Sequence, residues 1–308
     1  MTSTQVPPFE DVADTDRSEV TATLDPGPAI GLAGLLDLDH EVIALGELPP
    51  LWHWVYLLER PAAAHIGPDG HPLTGVPAPP GEGMKRMFAG GRVHSLRPLR
   101  LGEEATRRTW VTGSRIVEGR SGTLRFVTVR TEVSQGGEVA VREDNDIVYR
   151  QAGSPTSVPL GSLDAAPPTV DGPTVRLRAD EVALMRFSAL TYNGHRIHYD
   201  LGWCAVEGYD GLVVHGPLQA LLMGELVRRD GGGLLGKVLD YRLKAPMVGT
   251  QVMTASVAQA GDDQPDSPDS SVQVLDVHGR TTATASVHQL DGPAGTSEGS
   301  ERRDQHEK

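Results

Sequence analysis

The chain has 308 residues, of which 38% are hydrophobic and 22% are charged, and this suits one large or two ordinary globular domains. Its formal net charge of −13 argues against nucleic acid as a main partner, because phosphate backbones bind basic surfaces. The single cysteine, Cys204, excludes an intramolecular disulfide and favours a reducing, cytoplasmic location.

The first part of the chain predicts a disordered start followed by a mostly β domain. Residues 1–20 are polar and acidic and lack the basic start and apolar core of a signal peptide. Residues 21–151 form the first predicted domain, with a helix near Pro28–Leu38. Its strand-like runs are Arg92–Leu101, Thr106–Glu118, Thr123–Val133 and Glu138–Arg150.

A Pro-, Gly- and Ser-rich stretch, residues 152–173, predicts a linker to the second domain, residues 174–291. There, Gly216–Arg229 predicts a helix that is apolar on most of its circumference and therefore buried. Strands in which apolar and polar residues alternate follow this helix. Residues 292–308 predict a disordered tail. The longest informative uncharged run, residues 211–224, is too short for a bilayer, which needs about 20 residues.

A buried helix wrapped by antiparallel strands, built twice, resembles the double hot-dog branch of the MaoC-like hydratases and dehydratases. That branch includes 3-hydroxyacyl-thioester dehydratases and mesaconyl-CoA hydratases. The resemblance is carried by PPLWHWVYLL, MKRMFAGGRVHSLRPLRLGE, RFSALTYNGHRIHYD and GLVVHGPLQALL. It implies an α+β fold in which each half is a long buried helix wrapped by a curled antiparallel sheet. The first half would be a non-catalytic wall of the substrate tunnel, and the second half would be catalytic.

The residues of the second half match the MaoC-like pattern at three positions and depart from it at two. In that pattern a catalytic histidine is followed by an aspartate two residues later and by a helix-opening glycine about eighteen residues later. His198, Asp200 and Gly216 match. The family's catalytic carboxylate, five residues before the histidine, is replaced by Asn193, and His195 takes the place of its usual asparagine.

The resemblance implies a role for each of these residues in adding water across an enoyl-thioester. His198 would be the general acid/base, because an unperturbed imidazole has a pKa of about 6.5. Asn193 would orient the water, and His195 could be a second proton carrier. The Gly216 amide would stabilise the thioester oxyanion at the positive end of a helix. Asp200 would fix a histidine tautomer or cap the local turn.

Other side chains are candidates for substrate binding or for the core. Tyr192 could donate a hydrogen bond to the substrate, and Arg196 could meet its charge. The cations Lys85, Arg86 and Arg92 could meet coenzyme phosphates. The aromatic residues expected in the core are Trp52, Trp54 and Tyr56.

Three other functions stay open. The first is metal-dependent hydrolysis at His195, His198 and Asp200. The spacing of these residues is not that of a zinc protease, so neither a metal nor a cofactor is expected. The segment around His65 and His71 is interpreted as a glycine-rich loop. A thioesterase would need an acidic group on the buried helix. A non-catalytic acyl-thioester binding module would explain the missing carboxylate. The expected substrate is a CoA or acyl-carrier thioester, and the resemblance also allows a homodimer.

Overall fold

The computed structural model describes residues 17–77, 84–119, 122–151, 158–230, 232–258 and 271–290. The described residues of the first half form one α-helix and seven strands. These elements are β1 (Ser18–Thr23), α1 (Pro26–Leu35), β2 (Glu47–Leu48), β3 (Met84–Ser95), β4 (Leu99–Arg100), β5 (Glu104–Gly119), β6 (Gly122–Gln135) and β7 (Glu138–Gln151).

The second half contains the longest helix among the described residues. Its elements are β8 (Thr174–Ala179), α2 (Glu181–Thr191), α3 (Leu201–Glu207), α4 (Gly216–Arg229), β9 (Lys237–Leu243), β10 (Gln251–Val257), β11 (Ser271–Leu275) and β12 (Thr281–Gln289). The helix predicted from the sequence at Gly216–Arg229 is confirmed residue for residue. None of the described helices is long and apolar enough to cross a bilayer.

Ten strands form one antiparallel sheet in the order β1-β5-β6-β7-β3-β9-β12-β11-β10-β8. The two halves join where β3 pairs with β9, from Gly90 opposite Arg242 to Ser95 opposite Lys237. Gly90 has a φ of +142°, and a Cβ there would lie 2.2 Å from the Tyr241 carbonyl oxygen. Only glycine fits at this junction, which lies at a bulge in the pairing of β3 with β7.

Helix α4 is the centre of the second half. Residues 218–227 are all buried, and α4 packs against β8, β10, β11 and β12. Each large apolar side chain buried there contributes about 1.5–3 kcal/mol before the cost of ordering it. The helix also contacts the first half, since a Cβ on Gly224 would lie 2.4 Å from Leu51 Cδ1.

Among its described residues the first half has no helix as long as α4, although the α+β class predicted from the sequence holds. Helix α1 has 10 residues. Between β2 and β3 the chain forms short 3₁₀ turns at Trp52–Val55 and Ala63–His65. The physical reason is composition, because the following residues 66–77 carry three prolines and three glycines, which end helices. Trp52 is fully buried and donates from Nε1 to Glu225 Oε1 of α4 at 3.0 Å.

The structure corrects one of the predicted segment boundaries, and the others stay predictions. Residues 18–20, assigned from the sequence to a disordered start, belong to β1, which pairs with β5. Of the predicted linker, residues 158–173 form no helix and no ladder apart from a bridge between Leu160 and Val248. Residues 1–16, 152–157 and 291–308 lie outside the described residues, so the predictions for them stay predictions.

Candidate active site

A cavity of about 410 Å³ lies at the N-terminal end of α4 and is lined by both halves of the chain. The second half contributes Asn193, His195, His198, Glu207 and Gly216, and the first half contributes His71, Lys85, Arg86 and Phe88. The cavity therefore contains the four residues that the sequence predicts to be catalytic, together with groups it did not predict.

The segment after α2 presents two histidines on one side of the chain. Tyr192 ends α2 in the left-handed conformation, with a φ of 51°. Asn193 Oδ1 then accepts a hydrogen bond from the His195 amide at 3.0 Å. A 3₁₀ turn follows at Arg196–His198. The His195 and His198 rings lie 5.5 Å apart.

The His198 ring is held in one tautomer. Its Nδ1 lies 2.6 Å from the carbonyl oxygen of Val213. A carbonyl can only accept, so Nδ1 carries the proton and Nε2 keeps its lone pair. The ring stacks on His215 with centroids 3.6 Å apart, and it is 6% exposed. Burial lowers its pKa from 6.5 to about 3, so the imidazole is neutral.

His195 is paired with a carboxylate that the sequence analysis did not identify. Its Nε2 lies 2.9 Å from Glu207 Oε1, at the end of α3, and the same oxygen accepts from Trp203 Nε1 at 2.9 Å. Burial opposes the charge on Glu207, but these hydrogen bonds outweigh burial and lower the carboxyl pKa. A carboxylate–imidazole pair is thus present, with Glu207 as the acid group in place of Asn193.

The first half adds a second histidine–carboxylate pair. His71 Nδ1 lies 2.9 Å from Asp69 Oδ2, and the His71 ring is 4.0 Å from that of His195. Burial lowers the pKa of His71 to about 4. For Asp69, the hydrogen bonds from His71 outweigh burial and hold its pKa well below its usual range.

This loop docks on residues 194–196 through backbone contacts and through Arg196 Nη1, which donates to the Pro68 carbonyl at 3.0 Å. The Arg196 amide donates to the Asp69 carbonyl at 2.9 Å. Gly70 has a φ of +90°, and a Cβ there would lie 1.8 Å from the Gly194 carbonyl oxygen. Glycine is therefore required at position 70. The loop interpretation of the His65–His71 segment was right, but its place in the site was missed, because a contact across more than a hundred residues leaves no local pattern.

Gly216 places a free amide at the cavity. It is the first residue of α4, so its N–H has no acceptor within the helix, and Pro217 has no N–H. A Cβ at this position would lie 2.2 Å from Leu243 Cδ1 and 3.5 Å from Phe88 Cδ1. Any side chain larger than hydrogen would crowd the cavity wall.

Four residues predicted to bind substrate do not line the cavity: Tyr192, Arg196, Asp200 and Arg92. Arg196 bonds Asp200 at 2.6 Å and lies over Trp203 at 4.3 Å. Asp200 caps α3 by accepting a hydrogen bond from the Trp203 amide at 3.1 Å. Of the two roles that the sequence suggested for Asp200, the structure therefore shows the cap. The tautomer of His198 is fixed instead by the Val213 carbonyl. Tyr192 is 53% exposed.

Among the described residues, one group of side chains has ligand atoms close enough together to hold a metal ion. Ligand atoms of Asp69, His71 and His195 lie within 4.8 Å of one another, a different trio from the one considered in the sequence. Each already has a protein partner, because Asp69 bonds His71 and His195 bonds Glu207. A metal would have to displace these hydrogen bonds.

The fold and the cavity define a hot-dog enzyme in which two sheet halves enclose one polar site at a helix N-terminus. Comparison with known proteins makes this specific. Residues 51–249 match the sequence profile of the family described as hydroxyacyl-thioester dehydratase type 2. The chain belongs to this family of hydro-lyases.

Individual relatives agree with this placement. The chain is 46% identical to mesaconyl-C(4)-CoA hydratase of Chloroflexus aurantiacus over 202 residues, which are 65% of this chain and 71% of that protein. The crystal structure of HtdX of Mycobacterium tuberculosis aligns with a TM-score of 0.58 at 17% identity, over 89% of this chain and 100% of that one. A MaoC-like dehydratase from Phytophthora capsici aligns with a TM-score of 0.60 at 15% identity, over 90% and 97%. These structural matches confirm the MaoC-like hot-dog fold.

Proposed function

We propose that the chain hydrates the 2,3 double bond of an enoyl-CoA, or dehydrates the corresponding 3-hydroxyacyl-CoA, by imidazole acid/base chemistry at the end of α4. The observation that carries the proposal is that neutral His198 and the Gly216 amide line the same cavity. A base for water and a donor for the thioester oxygen are the two groups that this reaction needs within one substrate length of each other.

In the hydration direction, Nε2 of His198 accepts a proton from the water whose oxygen bonds to Cβ. An imidazole with a pKa of about 3 is a weak base, so a nearby negative charge must stabilise the imidazolium that forms. Glu207 supplies part of this stabilisation, since its charge already raises the pKa of His198 against the effect of burial. Asn193, which lines the cavity, orients the water.

The electrons of the double bond move onto the thioester oxygen as water attacks. The amide of Gly216 and the positive end of α4 stabilise this enolate. A proton then goes to Cα, and His195, held by Glu207, is the second proton carrier in the proposal. Dehydration runs through the same groups in reverse.

The relative's name suggests the acyl group. A mesaconyl-C(4) thioester is a branched dicarboxylic enoyl chain, and we propose that the substrate of this chain is of that kind, carried on CoA. The chemistry uses protein groups and water alone. Dialysis against a chelator is therefore expected to leave the rate unchanged. Stoichiometric metal that is required for turnover would contradict this part of the proposal. A homodimer stays a prediction.

Hydrolysis of the thioester has less support from the site. Glu225, the acidic residue on α4, does not line the cavity and is occupied by Trp52 and by Arg228, whose Nη2 lies 2.7 Å away. Gln219 does line the cavity, but its Oε1 accepts from Thr282 Oγ1 at 2.7 Å. Neither side chain is placed as a free base for attack on a carbonyl carbon.

The test incubates the purified protein with crotonyl-CoA and mesaconyl-C(4)-CoA while enoyl absorbance and free thiol are recorded together. Loss of enoyl absorbance without free thiol is the expected result, with the hydrated product confirmed by mass spectrometry. Free thiol would instead establish a thioesterase. Tight binding of both thioesters without either change would establish a binding module, and the proposal would then be abandoned.

A further inference from the structure

Arg86 is an unusual cation in the wall of the cavity. It lies near the start of β3, directly opposite Tyr149 of β7, and its side chain hydrogen-bonds that tyrosine. It lines the cavity together with His71 and His195. Burial lowers the pKa of its guanidinium, so the surroundings disfavour its charge.

Among the described residues the guanidinium has no carboxylate at salt-bridge distance. Tyr149 hydrogen-bonds it, and the more distant charge of Asp69 also favours its charged form, but burial outweighs both. Three other partly buried arginines differ, since Arg107 pairs with Glu59 at 3.0 Å, Arg130 with Asp144 at 2.7 Å, and Arg228 with Glu225 at 2.7 Å. Burying a charge without a directly paired carboxylate costs free energy, so a cation held this way at a cavity wall is suited to an anion that arrives with a ligand.

The position of Arg86 indicates which part of a ligand that anion belongs to. Its charge is close enough to lower the pKa of His71, after the larger effect of burial, and the His71 ring lies 4.0 Å from that of His195. Arg86 is therefore beside the reacting end of the cavity. The exposed Lys244 also lines the cavity and is the better placed cation for coenzyme phosphates near solvent.

We infer that Arg86 binds a free carboxylate attached to the β carbon of the acyl chain, so that the site selects dicarboxylic over monocarboxylic thioesters. The planar guanidinium fork can donate two parallel hydrogen bonds to such a carboxylate. The same contact would orient Cβ toward the histidines that handle the water. The inference rests on the proposed function and adds to it a residue for substrate selection.

Binding of two saturated thioesters tests it without turnover. Succinyl-CoA and butyryl-CoA differ only in a carboxylate or a methyl group on the β carbon, and neither has a double bond to hydrate. Isothermal titration is expected to show succinyl-CoA binding about 10- to 100-fold more tightly to the parent protein. Arg86→Met should remove that preference, and Arg86→Lys should recover part of it. Arg176→Met, at an exposed site on β8, is the matched control.

Three outcomes would overturn the inference. Equal affinities in the parent protein would show that the cavity does not recognise the carboxylate. An equal loss of both affinities in Arg86→Met would assign Arg86 to the coenzyme. A preference that survives in both Arg86 variants, with melting temperatures near that of the parent, would assign it to another residue.

A parallel assay separates this inference from the proposed function. Mesaconyl-C(4)-CoA and 3-methylcrotonyl-CoA also differ only by a carboxylate or a methyl group on the β carbon. Arg86→Met is expected to reduce the ratio of their kcat/KM values by about 10- to 100-fold. Hydration of both substrates with an unchanged ratio would refute the inference alone. Failure of the parent protein to hydrate either one would refute the proposed function, whatever the binding data.

Discussion

The two halves of the chain contribute strands to one antiparallel sheet but differ in the helices that accompany those strands. In the second half the sheet wraps α4, whose residues 218–227 are buried. In the first half, the short turn at Trp52–Val55 and the irregular residues 56–77 lie between β2 and β3. The first-half residues that line the cavity come mainly from that irregular segment and from the start of β3.

This difference suggests how a duplicated fold can form one site instead of two. The second half supplies the oriented N-terminus of α4, whose following residues 218–227 are buried and hold the helix in place. The half without a long helix has space for an acyl chain and a loop that can carry polar groups. Asp69 and His71 lie on that loop, and Arg86 lies at the start of the adjoining strand. The predictions below test whether the halves divide the work in this way.

The largest effect is expected from His198→Gln. Removing the neutral base should reduce kcat by a factor of about 1,000 or more, since positioned acid/base groups contribute about 100- to 10,000-fold. The succinyl-CoA affinity should stay within a few-fold of the parent value, as judged by titration calorimetry. A kcat within a factor of ten of the parent would place the base elsewhere, and the second half would lose its assigned role.

Glu207→Gln should have the next largest effect. The amide keeps the shape but removes the charge that holds His195 and supports a protonated His198, so kcat should fall about 100-fold. Glu181→Gln, at the exposed start of α2, is the control and should be unaffected. Rates equal to the parent across pH 6 to 9 would show that the pair with His195 is structural.

His71→Phe tests whether the first half is more than a wall. If His71 shares in proton transfer or holds His195 in place, kcat should fall about tenfold with little change in KM. Asp69→Asn should give a smaller loss, because it removes only the carboxylate partner of His71. The rate of both variants is measured beside thermal unfolding. An unchanged kcat in both would support the expectation of a non-catalytic first half.

Sequence reasoning identified the parts of the site that are local. The spacing from His198 to Gly216 reflects one turn, one short helix and the start of α4, so it can be read along the chain. Glu207 could not be identified, because nothing near it marks a carboxylate that folds back over twelve residues to His195. The loop at Gly70 meets Gly194 and Arg196 across more than a hundred residues, and contacts at that separation leave no local pattern. Arg196 was expected to meet substrate charge but bonds Asp200 and the Pro68 carbonyl, because a polar residue can serve a turn as readily as a substrate. For Asp200, the structure shows the capping role, one of the two that the sequence suggested.

The smallest effect is a pH dependence of stability that compares the histidines of the two halves. Burial lowers the pKa of His198 to about 3 and of His71 to about 4, and it lowers that of His215 well below 6.5. In the unfolded chain each titrates near 6.5, so below that pH the unfolded state binds more protons than the folded state. Stability is therefore fully present above about pH 6.5 and is lost as the pH falls toward 4.

Between pH 7 and pH 5, His198 and His71 should each cost about 1–2 kcal/mol of unfolding free energy, as measured by urea denaturation. His198→Gln and His71→Gln should each reduce the loss by one such share, while His40→Gln, at an exposed site, should not. Between pH 5 and pH 3.5 the two shares should diverge, because the pKa of about 4 for His71 lies inside this range and the pKa of about 3 for His198 lies below it. The share of His198 should keep growing while the share of His71 levels off. Shares that stay equal down to pH 3.5 would show that the loop of the first half excludes water from His71 as well as the packing around His198 does.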